Sequence, residues 1–227
     1  MTRLKQAISA CVLASALMPV VTSQAATYYV ATTGNNSNPG TNTQPWRNVA
    51  YAASKMVAGD TTYVKGGVYN EGEIRLMRSG TSSAPIKLLS APGQFPVIDC
   101  IDKTKGHRVQ IGSTQYAVGW ITIEGFEVRD CHSGIKFYNL HNGTIRRNWV
   151  HHNTLSSGIF GWGSKVVIDR NKVNNNGSPA AGAHGIYANG SYFTITNNLI
   201  YANEKYGIQL NGSSTSIYDR TRHAGPE

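Results

Sequence analysis

A short pattern repeats between residues 120 and 210, and it constrains the fold more than any other feature of the chain. The blocks that align without gaps cover residues 121–131, 143–153, 166–176 and 193–203. Each block is followed by a Gly-Ile pair, at 134–135, 158–159, 185–186 and 207–208. A period of roughly 22 to 27 residues predicts a solenoid in which each repeat forms one coil.

Two apolar columns and one asparagine column run through the aligned blocks. The apolar columns are Ile123, Ile145, Ile168 and Ile195, and then Val128, Val150, Val173 and Ile200. Turns interrupt the pattern every few residues, so it predicts short strands whose inward side chains stack from coil to coil. Asn148, Asn171 and Asn198 also align. Their amides are predicted to hydrogen-bond between coils and to close the turn between the second and third strands of each coil.

The amino terminus is typical of a secretory signal peptide. Arg3 and Lys5 precede an apolar run over residues 7–21, and Ser23-Gln24-Ala25 supplies small residues at a cleavage point. Residues 1–25 are therefore predicted to be removed on export, which makes the mature protein extracellular or periplasmic. No other apolar run is long enough to predict a membrane span.

Residues 26–227 are predicted to form one domain. Its expected parts are an N-terminal cap with irregular coils over 26–119, regular coils over 120–215, and an off-pattern tail over 216–227. Within the cap, a helix over 47–56 begins after Pro45-Trp46 and covers the open end of the solenoid.

The repeat fails in the tail. Continuing the period places Ile217 in the first apolar column, but Arg220 at the asparagine position and Arg222 in the second apolar column. Arginines do not belong inside a packed stack. We therefore expect the chain to be a fragment, or to leave its natural sequence near Asp219.

Cysteine usage leaves two alternatives open. Cys11 is lost with the signal peptide, which leaves Cys100 and Cys131. Export makes a disulfide between them chemically feasible. Cys131, however, aligns with Asn153 and its equivalents, which suits a small stacked residue without a partner.

The chain resembles the right-handed parallel β-helix proteins of the pectate-lyase-like superfamily. The resemblance is carried by the asparagine column, the Gly-Ile strands and N-terminal phrases at 28–46, 58–69 and 80–99. It implies an all-β fold, a right-handed parallel β-helix with three short strands per coil and a short N-terminal capping helix. It also implies a lyase reaction, β-elimination across a uronic acid, with Lys or Arg as the base and often with Ca²⁺.

Strand alternation predicts which side chains of the third strand face outward. They are Lys136, Phe160, Tyr187 and Gln209, followed two residues later by Tyr138, Trp162, Asn189 and Asn211. A cation beside aromatic rings suits an acidic sugar chain, because pyranose faces stack on rings and a carboxylate pairs with the amine. The competing interpretation is that these aromatic side chains only pack against one another.

Lys136 and His184 are the predicted catalytic residues, Lys136 as the base. The predicted substrate-binding residues are Phe160, Trp162, Tyr187, Gln209 and Arg129. Arg129, Arg146 and Arg147 are expected to lower the pKa of Lys136 by repulsion between like charges. An ordinary surface lysine and a turn histidine are the alternatives.

No metal ligands are assigned, and no cofactor is identified. Ca²⁺ enters by family resemblance only, because the acids of the repeat are scattered. Glu124 and Asp169 align on either side of Arg146, which predicts a charge ladder. His151 and His152 are adjacent, so they are expected to face opposite sides of a strand and not to share an ion.

Two functional hypotheses follow. The first is a secreted polysaccharide lyase acting on an acidic polysaccharide such as pectate or alginate. The second is a non-catalytic surface or adhesion module that binds polysaccharide in the same place, a groove formed by the outward side chains of the third strands. The net charge of +9, which falls to about +7 without Arg3 and Lys5, favours anionic partners and also serves solubility. Nucleic acid is not an expected partner, since no motif beyond charge supports it. A monomer is expected.

Overall fold

The computed structural model describes residues 24–100, 106, 108–180 and 182–212, together with the backbone of 217–219 and 222–224. Short parallel strands follow one another around three sheets, and beyond the N-terminal cap each circuit of the chain adds one strand to every sheet. The predicted parallel β-helix is therefore confirmed. The predicted signal peptide lies outside the described residues except for Gln24 and Ala25.

Sheet 1 contains the first strand of each coil: β1 Thr27–Val30, β2 Thr61–Val64, β5 Ile86–Ser90, β9 Ile121–Glu124, β12 Thr144–Arg146, β15 Val167–Asp169, β18 Thr194–Thr196 and β21 Ile217–Asp219. Sheet 2 contains β3 Gly67–Glu71, β6 Pro96–Cys100, β10 Glu127–Arg129, β13 Trp149–His151, β16 Lys172–Asn174, β19 Leu199–Tyr201 and β22 Arg222–Ala224. Sheet 3 contains β4 Ile74–Leu76, β7 Val109–Ile111, β11 Ile135–His141, β14 Ile159–Ser164, β17 Ile186–Ser191 and β20 Ile208–Asn211. The short strand β8, Val118–Gly119, pairs with the end of β11.

The interior is built from the two predicted apolar columns. Ile123, Ile145, Ile168 and Ile195 pair in consecutive register and are buried. Val128, Val150, Val173 and Ile200 do the same in sheet 2. The Gly-Ile pairs have a steric cause: a Cβ atom on Gly134 would lie 2.2 Å from the carbonyl oxygen of Gly158 in the next coil. Glycine is needed there so that neighbouring coils can approach.

Asparagine side chains form two ladders, not one. Asn148, Asn171 and Asn198 are buried between sheets 1 and 2, where Asn171 Nδ2 donates to Asn198 Oδ1 at 3.0 Å. The predicted position between the second and third strands was wrong, because each of these residues directly precedes a sheet 2 strand. The turn between the second and third strands is stabilised by a second ladder. In it, Asn153 Nδ2 donates to Asn176 Oδ1 at 2.8 Å, and Asn176 Nδ2 donates to Asn203 Oδ1 at 2.9 Å.

A disulfide joins Cys100 to Cys131, with Cα atoms 4.8 Å apart. Of the two alternatives for the cysteines, the structure therefore has the disulfide. Cys131 also begins the second ladder, since its backbone N–H donates to Asn153 Oδ1 at 3.0 Å. The bond ties the end of β6 to the end of β10, the two points from which the chain crosses into sheet 3.

The predicted capping helix is present as α1, Val49–Lys55, and buries Val49, Ala52 and Ala53 against the first coils. It is shorter than the predicted 47–56. Its first turn receives no cap from Asn48. Instead the buried carboxylate of Glu71, on β3, accepts hydrogen bonds from the backbone N–H groups of Val49 and Ala50, each at 2.7 Å.

The backbone of the tail continues the stack, but one residue out of the predicted register. Tyr218, and not Ile217, pairs with Ile195, and His223, and not Arg222, pairs with Ile200. The prediction assumed a coil of the shortest length, whereas turns in this solenoid absorb different numbers of residues. Among the described residues, no helix is both long and apolar enough to cross a membrane.

Candidate functional site

The outward side chains of sheet 3 form one continuous row across its strands. The pairing of β11, β14, β17 and β20 places Lys136, Phe160, Tyr187 and Gln209 side by side, as the alternation predicted. The row also extends further toward the N-terminal end than predicted. Strands β4 and β7 add Arg75 and Gln110 to it. We call these six residues the outer row.

Arg108 anchors the cationic end of the outer row. It directly precedes β7, and three contacts hold its guanidinium: NH2 lies 2.9 Å from Glu73 Oε1, Nε donates to Gln110 Oε1 at 2.8 Å, and NH1 donates to the Gly106 carbonyl at 2.6 Å. Glu73 Oε2 also lies 3.5 Å from Arg75 Nε. A guanidinium fixed in this way is pre-organised to pair with a carboxylate.

Lys136 is half-buried in the outer row beside Arg108. Burial, followed by repulsion from the Arg108 guanidinium, lowers the pKa of Lys136 to about 8, and the Glu73 carboxylate opposes that shift. Its Nζ lies 5.1 Å from the centroid of the Phe160 ring. His132 lies close to both cations, and burial and then the charges of Lys136 and Arg108 lower its pKa, which favours the neutral imidazole. A lysine in this setting is neutral in an appreciable fraction of molecules near neutral pH.

The three arginines predicted to act on Lys136 lie elsewhere. Arg129 is on sheet 2, where its Nε is 3.1 Å from Asp99 Oδ2 and its NH1 is 3.1 Å from Glu127 Oε1. The predicted place of Arg129 beside the groove was therefore wrong, since β10 carries it on a different face.

Arg146 and Arg147 are also separated from the outer row. Both contact Glu124, at 2.8 and 3.0 Å, on the sheet 1 side of the coil. The prediction failed because sequence proximity to Lys136 does not place residues on the same sheet. The charge ladder is present between Glu124 and Arg146, whereas Asp169 contacts Arg170 and accepts hydrogen bonds from Thr196 and Asn197.

Four aromatic rings follow Lys136 along sheet 3. The ring centroids of Tyr138 and Trp162 are 4.3 Å apart, those of Phe160 and Trp162 6.2 Å, and those of Phe160 and Tyr187 5.3 Å. All four side chains are partly exposed. They pack against one another, as the competing interpretation held, and they also present ring surface to solvent.

A cavity of about 740 Å³ opens beyond these rings, at the carboxyl ends of β11, β14 and β17. Its walls come from the insertion that contains β8 and from those strand ends. The lining residues are Ala117, Asn139, Leu140, His141, Trp162, Gly163, Ser164, Asn189 and Gly190. Trp162 is thus shared between the aromatic cluster and the cavity.

His184 lies at the start of β17, and its ring centroid is 5.5 Å from that of Tyr187. It is buried, its Nδ1 accepts a hydrogen bond from the Tyr206 N–H at 3.3 Å, and its ring stacks on Tyr206. Burial and then the charge of Lys205 lower its pKa. The structure therefore places a neutral imidazole next to the outer row, two strands away from Lys136.

The described residues do not fit a calcium centre. No group of three or more His, Cys, Asp or Glu side chains comes together among them in a way that could hold a metal ion. Several carboxylates of the coils are engaged by arginines, as Glu73, Asp99 and Glu124 show. No reaction step is therefore derived through Ca²⁺.

The expectation that His151 and His152 face opposite sides of a strand was wrong. The two rings do not face opposite sides, because His152 has a φ of 55° and ends the strand in a left-handed turn. Their Nδ1 atoms consequently lie 2.6 Å apart, and His151 Nε2 is 3.1 Å from Glu127 Oε1.

The fold and the row define a right-handed parallel β-helix with a cationic and aromatic groove on one sheet. The family model described as "Pel9A-like, right handed beta helix region" matches residues 28–178, which is more than half of the chain. The chain therefore belongs to this family.

Individual relatives agree with that assignment. A pectate lyase, PEL9, of Emericella nidulans is 36% identical over 86 residues, which are 37% of this chain and 20% of that protein. The solved structure of pectate lyase Pel9A has a TM-score of 0.63 at 18% identity, over 85% of this chain and 61% of that one. A rhamnogalacturonan lyase has a TM-score of 0.58 at 17% identity, over 88% and 66%. At these identities the two structures show the fold alone, and the chain spans only about a fifth of the curated relative.

Sequence reasoning missed the residues that define the cationic end. Glu73 and Arg75 flank Ile74, and Arg108 and Gln110 flank Val109. The same alternation of inward and outward residues that located Lys136 was therefore visible in both segments. The first coils lack the asparagine column that marks the register of the later ones, so the sequence alone does not align these two segments with the strand of Lys136.

Proposed function

We propose that this protein is an exported polysaccharide lyase that cleaves an acidic polysaccharide, such as pectate, by β-elimination on the outer row. The carrying observation is that Lys136 lies half-buried beside a guanidinium, Arg108, which is held in place by Glu73 and Gln110. Membership of the Pel9A-like family and the similarity to a pectate lyase support the same reaction class.

The reaction requires a base for the proton at C5 of a uronate and positive charge for the carboxylate beside it. Neutral Lys136 accepts the C5 proton through its Nζ atom. Arg108 and Arg75 bind the uronate carboxylate, so that the charge which develops when the C5–H bond breaks is stabilised there. The electron pair then forms the C4=C5 double bond while the C4–O bond breaks, and the leaving oxygen takes a proton from water.

Burial of Lys136 serves this mechanism in a specific way. A lysine at its ordinary pKa would be almost entirely protonated at neutral pH and could not accept a proton. Burial, and then the charge of the Arg108 guanidinium, lower the pKa of Lys136, and the same guanidinium binds the uronate carboxylate. One fixed cation thus has two roles. His184 lies too far along the row to share this proton, so we assign it to binding near Tyr187.

The test is the ultraviolet absorbance of unsaturated uronate products, measured on pectate and alginate with and without Ca²⁺. We expect Lys136→Met to lower the rate by about 10² to 10⁴-fold, the range typical of a general base. Lys172→Met is the matched control, because Lys172 Nζ also lies over an aromatic ring, at 4.4 Å from the centroid of Trp149, but on sheet 2.

Two outcomes would contradict the proposal. If the wild-type chain binds acidic polysaccharide but forms no unsaturated product, the non-catalytic binding module is the correct hypothesis. If product forms and Lys136→Met leaves its rate equal to that of Lys172→Met, Lys136 is not the base. Export is tested by sequencing the N-terminus of the secreted protein, which we expect to begin near residue 26. The proposed monomer is tested by sedimentation.

A further inference from the structure

The charge of the outer row changes between its two ends. The strands β4, β7 and β11 bring Arg75, Arg108 and Lys136 to one end, with Glu73 between them. The next three strands contribute no charged side chain to the outward positions, which carry mainly aromatic and amide groups. These are Phe160, Trp162, Tyr187, Asn189, Gln209 and Asn211.

The cavity beyond Trp162 continues the uncharged end. Its lining contains no Asp, Glu, Lys or Arg. It contains a tryptophan ring, the imidazole of His141, an exposed amide at Asn189 and a hydroxyl at Ser164. Such a combination of one aromatic surface and a few neutral polar groups is typical of sites that orient an uncharged ligand. Trp162 lies one strand and two residues from Lys136. With strands about 4.8 Å apart and a rise of about 3.3 Å per residue, their Cα atoms are roughly 8 Å apart.

A uronate carboxylate is poorly suited to this end of the row. An anion finds no lysine or arginine partner in this open cavity, and the faces of aromatic rings carry negative charge that repels it. An uncharged pyranose has no such penalty: its C–H face packs on the indole ring, and its hydroxyls exchange hydrogen bonds with the amide and the serine.

We propose that the cavity beside Trp162 binds an uncharged sugar unit that neighbours the uronate at Lys136. The preferred substrate is then an acidic polysaccharide in which charged and uncharged units adjoin, and not a fully charged homopolymer. The uncharged unit is either a neutral sugar or an esterified uronate. The position of the uronate at Lys136 rests on the proposed lyase function. The binding of an uncharged unit beside Trp162 rests on the residues that line the cavity.

Isothermal titration calorimetry with three hexasaccharides tests this proposal. The probes are a hexamer of galacturonate, the same hexamer fully methyl-esterified, and a hexamer that alternates galacturonate with a neutral sugar. We expect the alternating hexamer to bind about tenfold more tightly than the charged hexamer. Trp162→Ala should remove that difference, since an aromatic contact of this kind is worth roughly a factor of ten in affinity.

Trp149→Ala is the matched control, because Trp149 is also partly exposed but lies on sheet 2. It should leave the preference unchanged. Trp162→Phe retains a ring at the same position and should keep most of the preference, which separates loss of the subsite from loss of folding. The methyl-esterified hexamer distinguishes the source of the uncharged unit: Trp162-dependent binding of this probe identifies an ester, and its absence identifies a neutral sugar.

Equal affinity for the charged and alternating hexamers would overturn the proposal, as would a preference that survives Trp162→Ala. These results are distinguishable from failure of the lyase function. Unsaturated products without the Trp162-dependent preference refute only the neutral subsite. Trp162-dependent binding without product from any probe refutes only the lyase.

Discussion

Replacing Asn171 with alanine tests whether the first asparagine ladder stabilises the stack. Asn171 is in the middle of the ladder and is 1% exposed. Its Nδ2 donates to the Ile145 carbonyl at 3.0 Å and to Asn198 Oδ1 at 3.0 Å. Its Oδ1 accepts from the backbone N–H and the side-chain Nδ2 of Asn148, at 3.0 and 3.1 Å. The substitution removes all of these bonds.

The expected cost follows from the groups that lose their partners. Asn148 Nδ2 keeps a bond to the Ile123 carbonyl, and Asn198 Oδ1 keeps the backbone N–H of residue 171. The Asn148 N–H loses its acceptor and the Ile145 carbonyl loses this donor. The unsatisfied N–H costs about 1–3 kcal/mol and the lost hydrogen bond to the carbonyl about 0.5–1.5 kcal/mol, which together give a destabilisation of about 1.5–4.5 kcal/mol. This is a large share of a typical unfolding free energy of about 5–15 kcal/mol.

Urea denaturation measures the change, followed by circular dichroism and by tryptophan fluorescence so that coincident transitions establish two-state behaviour. Asn189→Ala is the control: this asparagine is exposed on β17, and its removal should change stability by no more than about 0.5 kcal/mol. If Asn171→Ala costs less than about 1 kcal/mol at unchanged m-value, the hydrogen bonds of the ladder do not stabilise the fold.

Three further predictions concern the cap, the disulfide and the pH dependence. Glu71→Gln should lower the unfolding free energy by about 1–2 kcal/mol in urea titrations, because the carboxylate that caps α1 loses its charge. Replacing both Cys100 and Cys131 with serine should cost about 3–4 kcal/mol, from the chain entropy of a 31-residue separation; no change in the urea midpoint would contradict this. The lyase rate should rise with pH and level off above about 8 as Lys136 loses its proton. Glu73→Gln should move that rise to lower pH, and an unshifted profile would exclude Glu73 as the counter-charge.

The fold could be predicted from sequence because its determinants repeat. Each coil places one isoleucine and one valine or isoleucine in register with the next, so a single alignment predicted both apolar columns. The second ladder was visible in the same alignment as Asn153, Asn176 and Asn203, but its role was not recognised. The predicted register of the tail was wrong by one residue. Turn lengths vary between coils, so the register of a strand can be read only from its pairing.

The site was predicted less completely, for a different physical reason. Outward side chains are not constrained by packing, so no periodic pattern marks which of them act together. The alternation of inward and outward residues predicted the positions of Lys136 and Phe160 correctly. It did not predict that Arg129 lies on another sheet. The guanidinium whose charge lowers the pKa of Lys136 belongs to Arg108, from a coil whose sequence does not follow the template.

Inward and outward positions of the coils are under different constraints, and this difference determines where functional side chains can be placed. Inward positions must repeat, because each coil packs on the one before it, whereas every coil is free to present a different outward residue. A row across sheet 3 can therefore change from Arg75 and Lys136 to Phe160 and Tyr187 at intervals of about 4.8 Å without any cost to the core. A linear polymer lying along the helix axis meets these side chains in order. Under the proposed function, the order of charged and uncharged side chains along the row would select a polymer with a matching order of charged and uncharged units. The hexasaccharide comparison measures that selectivity.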